Sequence, residues 1–247
     1  MDSLTTAASA LSPAQWCQVF FGLSSAAVLA IQVIPKAAQH AILDYGARSP
    51  ATTDDQTKGG GPQVTNMFND LVKAFASIGQ IPHAWFMHFY VASIAGSAFW
   101  AFEYLRNGPF LRLIAARQAQ SASPAMSLEQ TILIWALMAL QGSRRLYECF
   151  FVMKPGSSKI LKKYSLPEQG LFRYLVCPHY TCECLLYLGL AIAAAPQGQM
   201  INRTLLSAFW FIVANLGTTA DGTKEWYAQK FGAEKVASKW KMIPFLF

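Results

Sequence analysis

From Trp16 to Ile34 the chain runs for 19 residues without a charge. A helix needs about 20 such residues to cross the hydrocarbon core of a bilayer. Four further stretches repeat the pattern less cleanly. Ile81–Phe102 is rich in aromatics and uncharged unless His83 or His88 is protonated. Leu128–Met153 begins apolar and turns polar at Gln141–Glu148, and Leu171–Ala195 is interrupted by Arg173, His179 and Glu183. Leu205–Ala220 is uncharged but has only 16 residues. The composition sides with a membrane: 53% of residues are hydrophobic and 13% charged, about half the usual charged share of roughly 25%. Disorder, a collagen and a coiled coil are excluded. The expected fold class is all-α, a polytopic membrane helical bundle with about five transmembrane helices. Trp and Tyr near many segment ends fit an interfacial belt. A soluble all-α protein with buried core helices is the alternative.

Met1–Gln15 contains no Lys or Arg, so a signal peptide's positive leading region is missing and Trp16–Ile34 reads as a retained span. If all five segments cross, one side holds the N-terminus and the loops 103–127 and 196–204, with four basic residues: Arg106, Arg112, Arg117 and Arg203. The other side holds 35–80, 154–170 and 221–247, with thirteen lysines and arginines. The excess of basic residues marks the cytoplasmic face, which places the C-terminus there. The net charge of +7 is thereby a membrane feature, and nucleic acid is not an expected partner. The five cysteines lie in or beside apolar runs and indicate no secreted disulfide framework.

Residues 1–80 read as one span followed by a polar cytoplasmic loop, and residues 81–247 as a C-terminal membrane domain. Ala47–Thr65 contains Gly59-Gly60-Gly61-Pro62, a flexible linker, and Ala119–Ser127 is a second loop. Ser127 followed by Gln130 is a capping box at the start of a helix.

Ionisable groups inside apolar helices are costly and mark functional sites by default. Arg144 and Arg145 stand four and three residues before Glu148, so a helix places cations and an anion on one face. A structural salt bridge, or arginines reaching for lipid headgroups, would account for the same spacing. In Cys177-Pro178-His179-Tyr180-Thr181-Cys182-Glu183, His179, Tyr180 and Glu183 project from one helix and can point into the bundle. Pro178 suits a first helical turn, which would set Leu171–Cys177 apart as an interfacial segment. Pairing of Glu183 with Arg144 or Arg145 is the structural alternative. With four histidines and no CxxC, HxxH or HExxH pattern, no metal is expected. The tail from Lys224 to Phe247 interleaves lysines with aromatics. It serves either as a membrane-surface anchor or as a cover for a phosphate-bearing ligand. No GxGxxG or GxxxxGK[ST] pattern is present, so a dinucleotide would have to sit among the helices.

Four ordered segments carry a resemblance: Ile81–Tyr90 (IPHAWFMHFY), Ser143–Val152 (SRRLYECFFV), Cys177–Tyr180 with Glu183, and Ile243–Phe247. Together they resemble the steroid 5α-reductase family, and within it the polyprenol reductase branch, in its fungal form. The resemblance implies an endoplasmic reticulum membrane enzyme with a cytoplasmic C-terminus, NADPH as cofactor, and reduction of an activated carbon–carbon double bond. In this branch the bond is the α-isoprene unit of a long polyprenoid made for dolichol and protein N-glycosylation. It also implies that Arg145, Glu148, Tyr164, His179, Tyr180, Glu183, Lys224 and Tyr227 bind the cofactor, and it leaves His88 as a guessed catalytic proton donor. Lys224 stands where the branch usually has a histidine, and Gly142 near where the steroid enzymes place a carbonyl-polarising tyrosine. Two of the family's seven helices have no counterpart near 159–162. Hydride addition to an isolated alkene is chemically poor, and conjugation to a carbonyl makes it feasible. Polyprenal is therefore a better immediate substrate than polyprenol. A catalytically impaired member that binds lipid or a membrane partner, and a 3-oxo-steroid or enoyl reductase, are the competing readings.

Overall fold

The computed structural model describes residues 11–35, 39, 86–121, 124–152 and 165–247. Tyr164, His83, the Ala47–Thr65 linker and the 159–162 junction lie outside the described residues. What is described is helical: α1 (Pro13–Ala30), α2 (Phe86–Arg106), α3 (Pro109–Ala119), α4 (Leu128–Tyr147), α5 (Pro178–Ala193), α6 (Arg203–Phe231) and the single turn α7 (Glu234–Ala237). Two compact units divide them: Met1–Ser24 with Ala84–Lys162 and Cys184–Ile212, and Ser25–His83 with Lys163–Glu183 and Val213–Phe247.

In the first unit α2 packs along α4. Gly142 is buried at that crossing, where an added Cβ would lie 2.9 Å from Ser93 Oγ, so the glycine allows the two helices to approach. The α2–α3 corner turns at Asn107, which has a positive φ of 47°. The buried Glu103 carboxylate accepts the Leu111 N–H at 3.0 Å and satisfies an otherwise unpaired donor at the start of α3. The capping box at α4 forms as the sequence implies: Gln130 N–H donates to Ser127 Oγ and Ser127 N–H to Gln130 Oε1, both at 3.1 Å. The Gln130 amide also donates to Ala195 O at 2.9 Å, and Asn202 caps α6 through the Thr204 and Leu205 N–H groups. A small core of Ile134, Leu190 and Ala194 closes this end.

Among the described residues one helix, Pro13–Val33, is long and apolar enough to cross a membrane. The other expected spans differ from it for visible reasons. The Leu171–Ala195 stretch is broken into a 3-10 turn at Gly170–Arg173, an irregular link over residues 174–177 and a helix that begins at Pro178, as that proline suggests. The remaining helix α5 has 16 residues, about 24 Å at 1.5 Å per residue. Leu128–Met153 is straight helix only to Tyr147 and continues as a π-turn over Glu148–Val152. Leu205–Ala220 lies inside the 29-residue α6.

In the second unit the tail is held by backbone. Trp240 N–H donates to Tyr174 O at 2.8 Å, Val176 N–H to Trp240 O at 2.8 Å, and Cys177 N–H to Lys241 O at 3.0 Å. This short parallel bridge, Leu175 against Trp240, fixes the entrance to α5. Lys239 is buried and its ammonium donates to the carbonyls of Pro167 at 3.1 Å and Phe172 at 2.9 Å.

Candidate active site

Candidate residues fall in both units. In the first, the three-and-four spacing becomes a real cluster. Arg144 Nε donates to Glu148 Oε1 at 2.9 Å and Arg145 Nη1 to Glu148 Oε2 at 2.6 Å. One carboxylate thus serves two guanidiniums on the last turn of α4. Arg145 reaches further: its Nε and Nη2 donate to the Tyr90 hydroxyl at 3.3 and 3.1 Å, with the guanidinium carbon 5.3 Å from that ring's centre. Tyr90 is half-buried on α2, 55 residues away in sequence. Its oxygen accepts two charged N–H groups, and its own O–H has no acceptor among the described residues. A hydroxyl polarised in this way is the better donor toward a developing negative charge. His88, two residues earlier, is exposed, and a helix turns side chains two apart to different faces. Tyr90 lies in the segment Ile81–Tyr90 that carries part of the resemblance, but nothing in the sequence pairs it with Arg145.

In the second unit, His179 and Tyr180 open α5. Their rings lie 4.2 Å apart, with Phe172 6.4 Å beyond His179. His179 and Glu183 are exposed and Tyr180 is half-buried, so the first two face outward, although the spacing allows all three to point into a bundle. They do share the outward face that their spacing implies. Glu183 has no hydrogen-bond or ion-pair partner among the described residues. Tyr227 on α6 packs between Trp226 and Phe231 at 5.3 and 5.8 Å. Burial, and secondarily the nearby Cys177, push its phenol above the ordinary value. Lys224 donates to Lys239 O at 2.6 Å. Burial lowers its pKa first and Lys241 adds to this, while Asp221 opposes both. Lys241 is itself paired with Asp221 at 2.6 Å and lies 4.1 Å from the centre of the Phe247 ring.

A nicotinamide dinucleotide asks for a flat aromatic wall, an acceptor for its carboxamide and cations for its phosphates. The Phe172, His179 and Tyr180 rings, tilted to one another by 36° and 59°, offer single ring faces rather than one flat wall, and the Glu183 carboxylate, without a partner among the described residues, is a free acceptor. Arg173 and Lys235, both exposed and without a partner among the described residues, suit the third. The donor set therefore fits.

The described residues are thus helical, with a half-buried arginine–tyrosine pair in one unit and aromatic rings beside a carboxylate at a helix start in the other. The pattern of the 3-oxo-5-alpha-steroid 4-dehydrogenase family matches residues 89–247, and the chain belongs to that family. It is 34% identical over 130 residues to polyprenal reductase 1 of Arabidopsis thaliana, covering 51% of this chain and 39% of that one. It is 37% identical over 86 residues to the polyprenal reductase of Saccharomyces cerevisiae, covering 35% and 30%. It is also 32% identical over 84 residues to a steroid 5-alpha-reductase of Solanum lycopersicum, covering 34% and 30%. The chain spans about a third of the length of the first curated relatives it matches. No solved structure matches it.

Proposed function

We propose that this chain carries the catalytic elements of a membrane-bound polyprenal reductase, saturating the α-isoprene double bond of a long polyprenoid aldehyde. The observation that carries the reading is the Tyr90 hydroxyl, held by Arg145, which Glu148 in turn anchors. NADPH, when bound, supplies hydride. The negative charge that then appears on the aldehyde oxygen needs a preorganised donor. Tyr90 provides that donor, and Arg145 offsets the charge left on the phenol oxygen. This arrangement takes the place of the tyrosine that the steroid enzymes carry near position 142, where Gly142 here has no room for one. His179, Tyr180, Glu183, Arg145, Glu148, Lys224 and Tyr227, with Tyr164, are the proposed cofactor residues, and His88 ranks behind Tyr90 as proton donor. The five spans, the endoplasmic reticulum location and the cytoplasmic C-terminus are part of the same proposal. The support for it is the family match over residues 89–247 and the excess of basic residues on the expected cytoplasmic side.

The test uses the chain in microsomes that lack their own reductase, supplied with NADPH and polyprenal or polyprenol, with the saturated product followed by mass spectrometry. Saturation of polyprenal that is lost in Glu183→Ala supports the reading. No product, beside an active full-length relative, refutes it. The limited coverage of the relatives gives substance to the second reading, a family member that binds lipid without turnover. That reading predicts no NADPH binding.

A further inference from the structure

Within the first unit, the face between α4 and α5 opens into a cleft of about 340 Å³, at the small end of ligand-sized pockets. Leu137, Leu140, Leu186 and Leu190 form its apolar walls, while Gln141 and Arg144 stand along the same lining. The cleft is open at Gly189, where an added Cβ meets nothing within 4 Å. The two polar groups are under-used by the protein. The Gln141 carboxamide has no partner among the described residues, and Arg144 engages Glu148 only through Nε. Among the described residues both terminal amino groups of that guanidinium are without a partner. Charge counts the same way, because Arg144 and Arg145 share the single Glu148 carboxylate, which leaves one net positive charge beside the cleft.

An apolar slot with a spare guanidinium and a carboxamide suits one kind of occupant: a hydrocarbon chain that ends in a phosphate. The chain is taken out of polar surroundings by the leucines. The phosphate accepts the paired N–H groups of Arg144, the geometry in which arginine outperforms lysine, and the Gln141 amide. A neutral polyprenoid would fill the slot but make no use of the Arg144 guanidinium at its rim, whose side chain is 69% exposed. We propose that this cleft is a binding site for a phosphate-headed membrane lipid, separate from the Tyr90–Arg145 pair. Arg144 grips the head, and Gly189 is kept small for the chain.

The test measures binding of lysophosphatidic acid to the purified full chain in a neutral detergent, by native mass spectrometry and titration. An alcohol of the same chain length, inorganic phosphate and polyprenol are the other probes. One lysophosphatidic acid per chain is expected, bound at least tenfold more tightly than the alcohol or phosphate. Gly189→Leu and Arg144→Gln should each weaken it tenfold or more. Gly189→Leu fills open space on a helix that gains from losing glycine, so its melting temperature should not fall, which separates a filled slot from a misfolded chain. Arg145 keeps Glu148 paired in Arg144→Gln. Equal binding of polyprenol would make the cleft a neutral polyprenoid slot and overturn the proposal. Binding of phosphate alone, binding unchanged in Gly189→Leu, or no saturable binding would overturn it equally.

Discussion

Replacing Lys239 with methionine should loosen the entrance to α5 without changing its chemistry. The lysine stem is buried and its ammonium donates to two backbone carbonyls, at 2.9 and 3.1 Å, in the segment that leads to α5. No carboxylate is among these partners, so what is lost is two charge-assisted hydrogen bonds. At the low end such bonds contribute about 1.5 kcal/mol each. Methionine fills the same volume and no longer has to bury an ammonium, which recovers about 1 kcal/mol. The net loss is therefore about 2 kcal/mol, or roughly a thirtyfold larger open population. Hydrogen exchange followed by mass spectrometry reads this at the amides of Val176 and Cys177, which donate to Trp240 and Lys241. Their exchange should quicken about thirtyfold while that of the α2–α4 amides stays unchanged. Unchanged exchange at Val176 and Cys177 would mean that the backbone bridge holds the tail alone and that the ammonium contributes nothing.

Three further outcomes follow from the same geometry. Tyr90→Phe should lower polyprenal saturation about a hundredfold with NADPH affinity preserved, which single-turnover kinetics would separate; full activity would return the donor role to His88. Gly142→Ala should cost under about 1 kcal/mol, because the exposed Ser93 hydroxyl can rotate away and the helix gains from alanine. Gly142→Tyr should cost about 1–3 kcal/mol by forcing α2 off α4, and thermal melts in detergent distinguish the two. Tyr227 should ionise later than an ordinary tyrosine on absorbance titration at alkaline pH. Above the unfolded value of about 10 the unfolded chain has released a proton that the folded chain keeps, so stability falls as pH rises through that window. The Tyr227→Phe variant should lack that slope.

What the sequence makes legible is what lies within one helical turn. The capping box at Ser127 and Gln130, the helix start at Pro178 and the pairing of Arg144 and Arg145 with Glu148 are all three- and four-residue relations. Helix geometry alone dictates them. The contacts that define the candidate site are of another kind. Arg145 finds Tyr90 at a separation of 55 residues, and Lys239 finds Phe172 at 67. Neither pairing leaves a periodicity to read, since each depends on how elements pack. Glu103 shows the intermediate case: its separation from Leu111 is eight residues, but the cap exists only because Asn107 takes the left-handed turn that brings α3 back. The outward aim of His179 and Glu183 was hidden for a related reason. An apolar run cannot say which face of a helix is packed when the run itself is interrupted.

The basic tail is where these two levels meet. Read as a string, Lys224, Lys239 and Lys241 look like a cluster awaiting phosphate. In the fold each ammonium already has an assignment: Lys224 on the Lys239 carbonyl, Lys239 on Pro167 and Phe172, Lys241 on Asp221. Removing any of them from its partner to grip a ligand would orphan a carbonyl or a carboxylate. These three lysines therefore act as fastenings of the tail. They fix the backbone bridge from which α5 starts and so set where His179 and Tyr180 stand. As a proposed cofactor residue, Lys224 would have to exchange the Lys239 carbonyl for a ligand oxygen, whereas Arg173 and Lys235, without a partner among the described residues, would lose nothing. Variants at Lys239 should therefore alter cofactor affinity through the placement of the α5 rings rather than through lost charge.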